Sequence, residues 1–103
     1  MVKDFVTTKT ADVGAVLNER GSEYGDFRTQ GFIAQELKET ARGTPGWLRM
    51  EGMHREAVDM ILHKLSRLLN GNPDHIDSWL DIEGYARCVR VRLEKGIDTI
   101  PRV

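Results

Sequence analysis

Two aspartates four residues apart, Asp77 and Asp81, stand in the stretch Asp77-Ser78-Trp79-Leu80-Asp81-Ile82-Glu83-Gly84-Tyr85. On a helix, side chains at i and i+4 share a face and lie one above the other. Two acids placed so repel each other by a few tenths of a kcal/mol, and a divalent cation held between them turns the repulsion into attraction. At about 100° per residue, Asp77, Asp81 and Cys88 fall along one line, with Tyr85 beside it, while Trp79, Ile82, Ala86 and Val89 mark the core side. The acids are thus expected at the edge of the core, where a helical bundle forms a cleft between neighbours. Gly84, beside the same line, leaves room for a ligand or a partner helix. A plainer reading stands next to this one: acids near a helix N-terminus interact well with the macrodipole and need no metal.

The preceding helix supplies possible partners. Glu56 and Asp59 are at i and i+3 and can reach one ion. Facing Asp77 and Asp81 across an antiparallel helix pair, they would complete a four-carboxylate cage, and oxygen-only ligation of that kind suits Mg²⁺ or Mn²⁺. Lys64 and Arg67 lie further along the same helix, within reach of phosphate groups beside such an ion. The same residues also read as a solvated face with surface ion pairs. His63 is expected at the surface or an edge rather than as a metal ligand. A second dense patch is Arg20-Gly21-Ser22-Glu23-Tyr24-Gly25-Asp26-Phe27. Tyr24 and Arg20 there offer an aromatic wall for a base and a cation for phosphate, or the patch is turn chemistry, with Asp26 capping the next helix. The chain has no GxxxxGK[ST], GxGxxG or GxSxG pattern. Cys88 has no local nucleophile signature and reads as a small residue at a packing edge.

The elements that must position these residues are helical. Gly and Pro punctuation divides the chain into four segments. The first runs from about Ala11 to Glu23, the second from about Phe27 to Arg42, the third from about Glu51 to Asn70, and the fourth from about Ile76 to Lys95. Gly43-Thr44-Pro45-Gly46 is a break, with Trp47 and Leu48 in a short turn or helix start after it. Ala57, Val58, Ile61, Leu62, Leu65, Leu68 and Leu69 form one apolar stripe at the helical period. Asn70-Gly71-Asn72-Pro73 ends the third segment, and Gly96 caps the fourth. No strand-like alternation competes, so the sequence predicts an all-α antiparallel four-helix bundle, one domain over 1–103 with loose ends at about 1–10 and 97–103.

Composition agrees. The chain has 103 residues, 40% hydrophobic and 30% charged, and a net charge of −1. That balance fits a globular domain and disfavours a general nucleic-acid binder. It is small enough that oligomerisation would help it bury a core. The single cysteine forms no internal disulfide and fits a reducing cytosol. Neither a signal peptide nor a membrane span is evident, so a cytoplasmic location is expected.

Taken together, Arg20-Gly21 with Tyr24-Gly25, Arg55-Glu56-Ala57 with Lys64 and Arg67, and Asn70-Gly71 followed by Asp77-Ser78-Trp79 and Asp81-Ile82-Glu83-Gly84-Tyr85 resemble a small phage and bacterial family. That family lies within or near the all-α nucleoside triphosphate pyrophosphohydrolase (MazG-like) superfamily. The resemblance covers about Val16 to Leu93. It implies a bundle that forms homo-oligomers, a Mg²⁺ site made by acids on two helices, and cleavage of a nucleoside triphosphate to the monophosphate and pyrophosphate. Better-known members carry Glu-Glu-x-x-Glu on one helix and Glu-x-x-Asp on the next. Here the third helix offers only Glu56 and Asp59, and the fourth has Asp77-x-x-x-Asp81, with Asp81 the better match and Asp77 offset by one residue. In this reading Glu56, Asp59, Asp77 and Asp81 hold the metal, and Glu56 and Asp81 serve catalysis. Arg20, Lys64 and Arg67 contact phosphate, and Tyr24 and Tyr85 border the base. Two alternatives stand beside it: a non-catalytic nucleotide-binding or nucleotide-sequestering protein, and a small interaction module using Trp47 and Trp79.

Overall fold

The computed structural model describes residues 24–96, all of them in helices or short connections, with no strand among the described residues. Among the described residues four helices follow one another: α1 (Phe27–Arg42), α2 (Pro45–Arg49), α3 (Gly52–Asn70) and α4 (Ile76–Lys95). The all-α expectation holds, and the bounds of α1 and α4 match the expected segments. The expected first helix, about 11–23, lies outside the described residues, as do both ends. No helix among the described residues is long and apolar enough to cross a membrane.

Local chemistry fixes the helix ends. Asp26 caps α1, its carboxylate accepting from the Thr29 N–H at 3.0 Å and from the Thr29 hydroxyl at 3.1 Å. These bonds, the backbone one foremost, hold the Asp26 carboxyl below its ordinary value. Thr44 caps α2, with Pro45 at its first turn, where a missing N–H is harmless. Glu51 precedes α3 rather than opening it, and its N–H donates to His54 Nδ1 at 3.2 Å in a reciprocal capping arrangement. Gly96 ends α4 in the left-handed region, φ 66°, a conformation that favours glycine.

Helix α3 is the middle of the fold, with α1 packed on one flank and α4 on the other. Against α1 it sets Ser66, which accepts from Gln30 Nε2 at 3.4 Å, and Asp59, which pairs with Arg42 at 3.3 Å. Against α4 it sets Ala57 and Ile61, along with Lys64, whose Nζ lies 2.9 Å from Asp81. Both pairings are antiparallel: Gln30 meets Ser66 while Arg42 meets Asp59, and Asp81 meets Lys64 while Leu93 lies near His54. Small buried residues, Ala34, Ala57, Ser66 and Ser78, sit along these contacts and let the helices approach closely.

The sequence placed Trp79, Ile82, Ala86 and Val89 on the core side of α4. The structure corrects this: Ser78 is the buried residue of α4, Ile82 and Val89 are half-buried, and Trp79 and Ala86 are exposed. The cause is local. The indole N–H of Trp79 donates to the Pro73 carbonyl at 2.8 Å, tying the ring to the loop before its own helix. Cys88 is exposed rather than at a packing edge.

Candidate functional site

The α1–α3–α4 layer has two faces. At about 100° per residue, Glu56, His63 and Arg67 of α3 share a side with Asp77 and Asp81 of α4 and Lys38 of α1. Val58, Leu62 and Leu69 of α3 share the other side with Ala86 and Leu93 of α4. The candidate site residues named above lie on the first face.

Its centre is His63, expected at the surface or an edge and found half-buried. Burial first, and then the positive charges of Arg67, Lys38 and Lys64, lower its pKa to about 4. Cationic side chains from two helices therefore converge on a neutral imidazole. Lys64 is well shielded, with 14% of its side chain exposed, while Asp81 beside it is 46% exposed. Arg67 is buried, and its guanidinium lies 4.5 Å from the centre of the Tyr24 ring. The edge of Tyr24 meets His75 at 5.4 Å. The Tyr24-Gly25-Asp26 turn is pinned to the end of α3, where Asn70 Nδ2 donates to the Tyr24 carbonyl at 2.9 Å and to the Asp26 carbonyl at 2.8 Å. Gly25 adopts φ 77° within this turn, against the Asn70 backbone. Both readings of the patch thus meet at Tyr24, which is turn chemistry and a neighbour of Arg67 at once. Arg20 lies outside the described residues.

The four acids are not gathered by one chain. Asp59 of α3 faces α1 and is paired with Arg42, while Asp81 of α4 faces α3 and is paired with Lys64. The Lys64–Asp81 pair also fixes the register. Glu56 lies eight residues earlier on α3, about 12 Å along the axis from that level. Asp77 lies one turn to the other side, since the helices are antiparallel. Glu56 and Asp77 are both exposed. No group of three or more His, Cys, Asp and Glu side chains among the described residues is placed to hold a metal. Asp77 and Asp81 remain neighbours on one helix face, and Asp77 also sits in the first turn of α4, where the macrodipole favours it. Tyr85 is half-buried on the α3 side of α4.

Sequence reasoning did not single out Lys38. Its place beside His63 follows from the antiparallel register of α1 on α3, which no local motif encodes. Nor did it find the double role of Asn70, read only as a helix stop.

No protein-family model, curated protein or solved structure matches this chain.

Proposed function

We propose that this chain binds a nucleotide on the His63 face and acts as a Mg²⁺-dependent nucleoside triphosphate pyrophosphohydrolase working as a homo-oligomer. The supporting observation is the convergence of Lys38, Lys64 and Arg67 on half-buried His63, with the Asp81 carboxylate at its edge. A positive field in a partly desolvated site attracts a polyanion such as a triphosphate. Lys64 exchanges Asp81 for a phosphate oxygen as the ligand enters. Arg67, already braced by Tyr24, receives a second phosphate, and Tyr24 and Tyr85 border the base.

Asp77 and Asp81 suit Mg²⁺ (or Mn²⁺) better than the full cage does. Mg²⁺ on nucleotides is commonly held by one or two carboxylates with phosphate oxygens and waters completing the shell, and a one-turn aspartate pair supplies that number. Bound there, the ion would neutralise phosphate charge and acidify a bound water. Where one aspartate alone holds the ion, the other, left outside the metal shell, would take the water's proton, since within one chain Glu56 and Asp59 are held away from the pair.

The dispersal of the acids favours a second reading, a nucleotide-sequestering protein that uses the same cations without turnover. One experiment separates the two. The chain is mixed with nucleoside triphosphates and Mg²⁺, and pyrophosphate release and binding are followed together. Release abolished by Asp81→Ala supports the enzyme. Binding weakened by Lys64→Ala without any release supports sequestration. No binding of any common nucleotide refutes both.

A further inference from the structure

We infer that the apolar face of the layer, opposite His63, docks on the same face of a second copy of this chain, with α4 antiparallel to α4 and Ala86 at the twofold axis. The inference rests on the homo-oligomer in the reading above and assigns its surface.

A cleft of about 420 Å³ runs between α3 and α4 on this face, floored by Ala57, Val58 and Ile61 and by Ala86, Val89 and Leu93. Leu93 there is 55% exposed, and beyond the cleft Leu69 is 66% exposed and Trp79 51%. Of the seven apolar residues in the α3 stripe, only Ala57 and Leu68 are buried. Leu69, Trp79 and Leu93 leave apolar surface in water along this face, which a second copy would cover.

The pattern on α4 is self-complementary. Trp79, Ala86 and Leu93 recur every seven residues, the spacing that keeps side chains on one seam. Trp79 and Leu93 are each seven residues from Ala86. A twofold axis at Ala86 therefore sets Trp79 of each copy against Leu93 of the other, and the small Ala86 side chains let the helices approach. The same axis brings Glu83 within one residue, about 1.5 Å along the helix, of the position opposite Arg90 of the second copy. Glu83, Ala86, Arg87 and Arg90 line a shallow depression beside the cleft. Among the described residues Arg90 pairs with its own exposed neighbour Glu94, at 2.8 Å.

The size is adequate. Helices of 19 and 20 residues give a face about 30 Å long. Two axes about 8–10 Å apart make it roughly 20 Å wide with side chains. That is roughly 600 Å² in projection, comparable with the ~800 Å² of accessible surface that each partner contributes to a standard interface.

Sedimentation of the full chain without nucleotide tests this independently of any nucleotide site. The wild type is expected to be a dimer at micromolar concentration. Ala86→Glu, which puts two carboxylates on the axis, should shift it to monomer. Phe32→Ser, on an exposed position of α1, should leave it a dimer. Glu83 and Arg90 are exposed, so their charge swaps leave the fold intact even where Ala86→Glu does not. Glu83→Arg or Arg90→Glu alone should weaken the dimer up to about tenfold through two symmetry-related pairs, and the double swap should restore it. A wild type that stays monomeric at high micromolar concentration, leaving the cleft to an unlike partner or to residues 97–103, overturns the proposal. A dimer indifferent to both Ala86→Glu and the charge swaps also overturns it.

Discussion

Gly25→Ala should destabilise this protein by about 2–5 kcal/mol, and the figure follows from three observations. Gly25 sits at φ 77°, where a residue with a Cβ is disfavoured by about 1–2 kcal/mol. A Cβ at this position would overlap the backbone oxygen of Asn70 and stand 2.7 Å from its Nδ2. That oxygen belongs to the last residue of α3 and cannot swing aside as a side chain would. Relief requires lifting the turn off Asn70, which breaks the bonds from Nδ2 to the Tyr24 and Asp26 carbonyls at 2.9 and 2.8 Å. Each such bond is worth about 0.5–1.5 kcal/mol net. The total is a large share of the ~5–15 kcal/mol that holds a typical domain together.

Urea unfolding followed by circular dichroism and by the fluorescence of Trp47 and Trp79 measures it. Asn70→Ala gives the two hydrogen bonds without the backbone term, so it should cost less, about 1–3 kcal/mol. Gly25→Asn separates the remaining causes. Asparagine tolerates the left-handed region, so it would recover much of the loss if φ were the whole problem; contact with Asn70 leaves it as damaging as alanine. Gly25→Ala within about 0.5 kcal/mol of wild type, inside the range of ordinary surface substitutions, would refute the reasoning. So would full recovery by asparagine.

Other outcomes follow from single contacts. His63 is less basic when folded, so the unfolded chain binds its proton more readily; stability should be flat above pH 6.5 and fall between 6.5 and about 4. The full shift corresponds to about 3 kcal/mol, and solvent screening of a half-exposed ring reduces the expected loss to about 1 kcal/mol; His63→Gln should flatten that slope in a urea series against pH. The Asp26 cap has the opposite sense. Its contribution is complete above its ordinary 3.8 and is lost as pH falls below that value, so Asp26→Asn should remove a second acid step seen in thermal melts below pH 4. Arg55 donates from Nε and Nη2 to the Trp47 carbonyl at 3.2 and 3.0 Å and lies over its ring at 5.4 Å; Arg55→Lys should cost about 1–2 kcal/mol and alter Trp47 fluorescence, since an ammonium cannot reproduce the fork. Lys64→Met should let Asp81 bind Mg²⁺ or Mn²⁺ without nucleotide, read by calorimetry, where the wild type binds the ion appreciably only with nucleotide present.

The helices were legible because their signals are local. Apolar spacing, Asp26 before α1, Pro45 after a Gly-Thr break and Gly96 after α4 each act within a turn of chain. The face by which α4 docks was misjudged because hydrophobicity alone ranks Trp79 above Ser78. An indole held by Pro73 stays exposed, and the small serine beside it is the residue of α4 that is buried. His63 and Lys38 were passed over for a related reason: a charge cluster across two helices depends on register, which is set by distant pairs such as Gln30 with Ser66.

The acidic pair shows the same limit from the other side. On one helix in isolation, Asp77 and Asp81 repel and invite a cation, and the sequence supplied Mg²⁺. The fold supplies Lys64 first, on the next helix and at 2.9 Å. A lysine answers the electrostatic question without metal, so the spacing of the acids is not by itself an argument for an ion. The proposed ligand rests instead on the positive field that Arg67, Lys38 and Lys64 set up at the neutral, partly desolvated His63. An anion that takes Lys64 from Asp81 would meet that field and free a carboxylate beside Asp77 in one exchange. Phosphate and metal would then bind as one event, each improving the other's affinity by the same factor. That coupling, rather than the four-acid cage, is the property by which a nucleotide site on this face would be recognised.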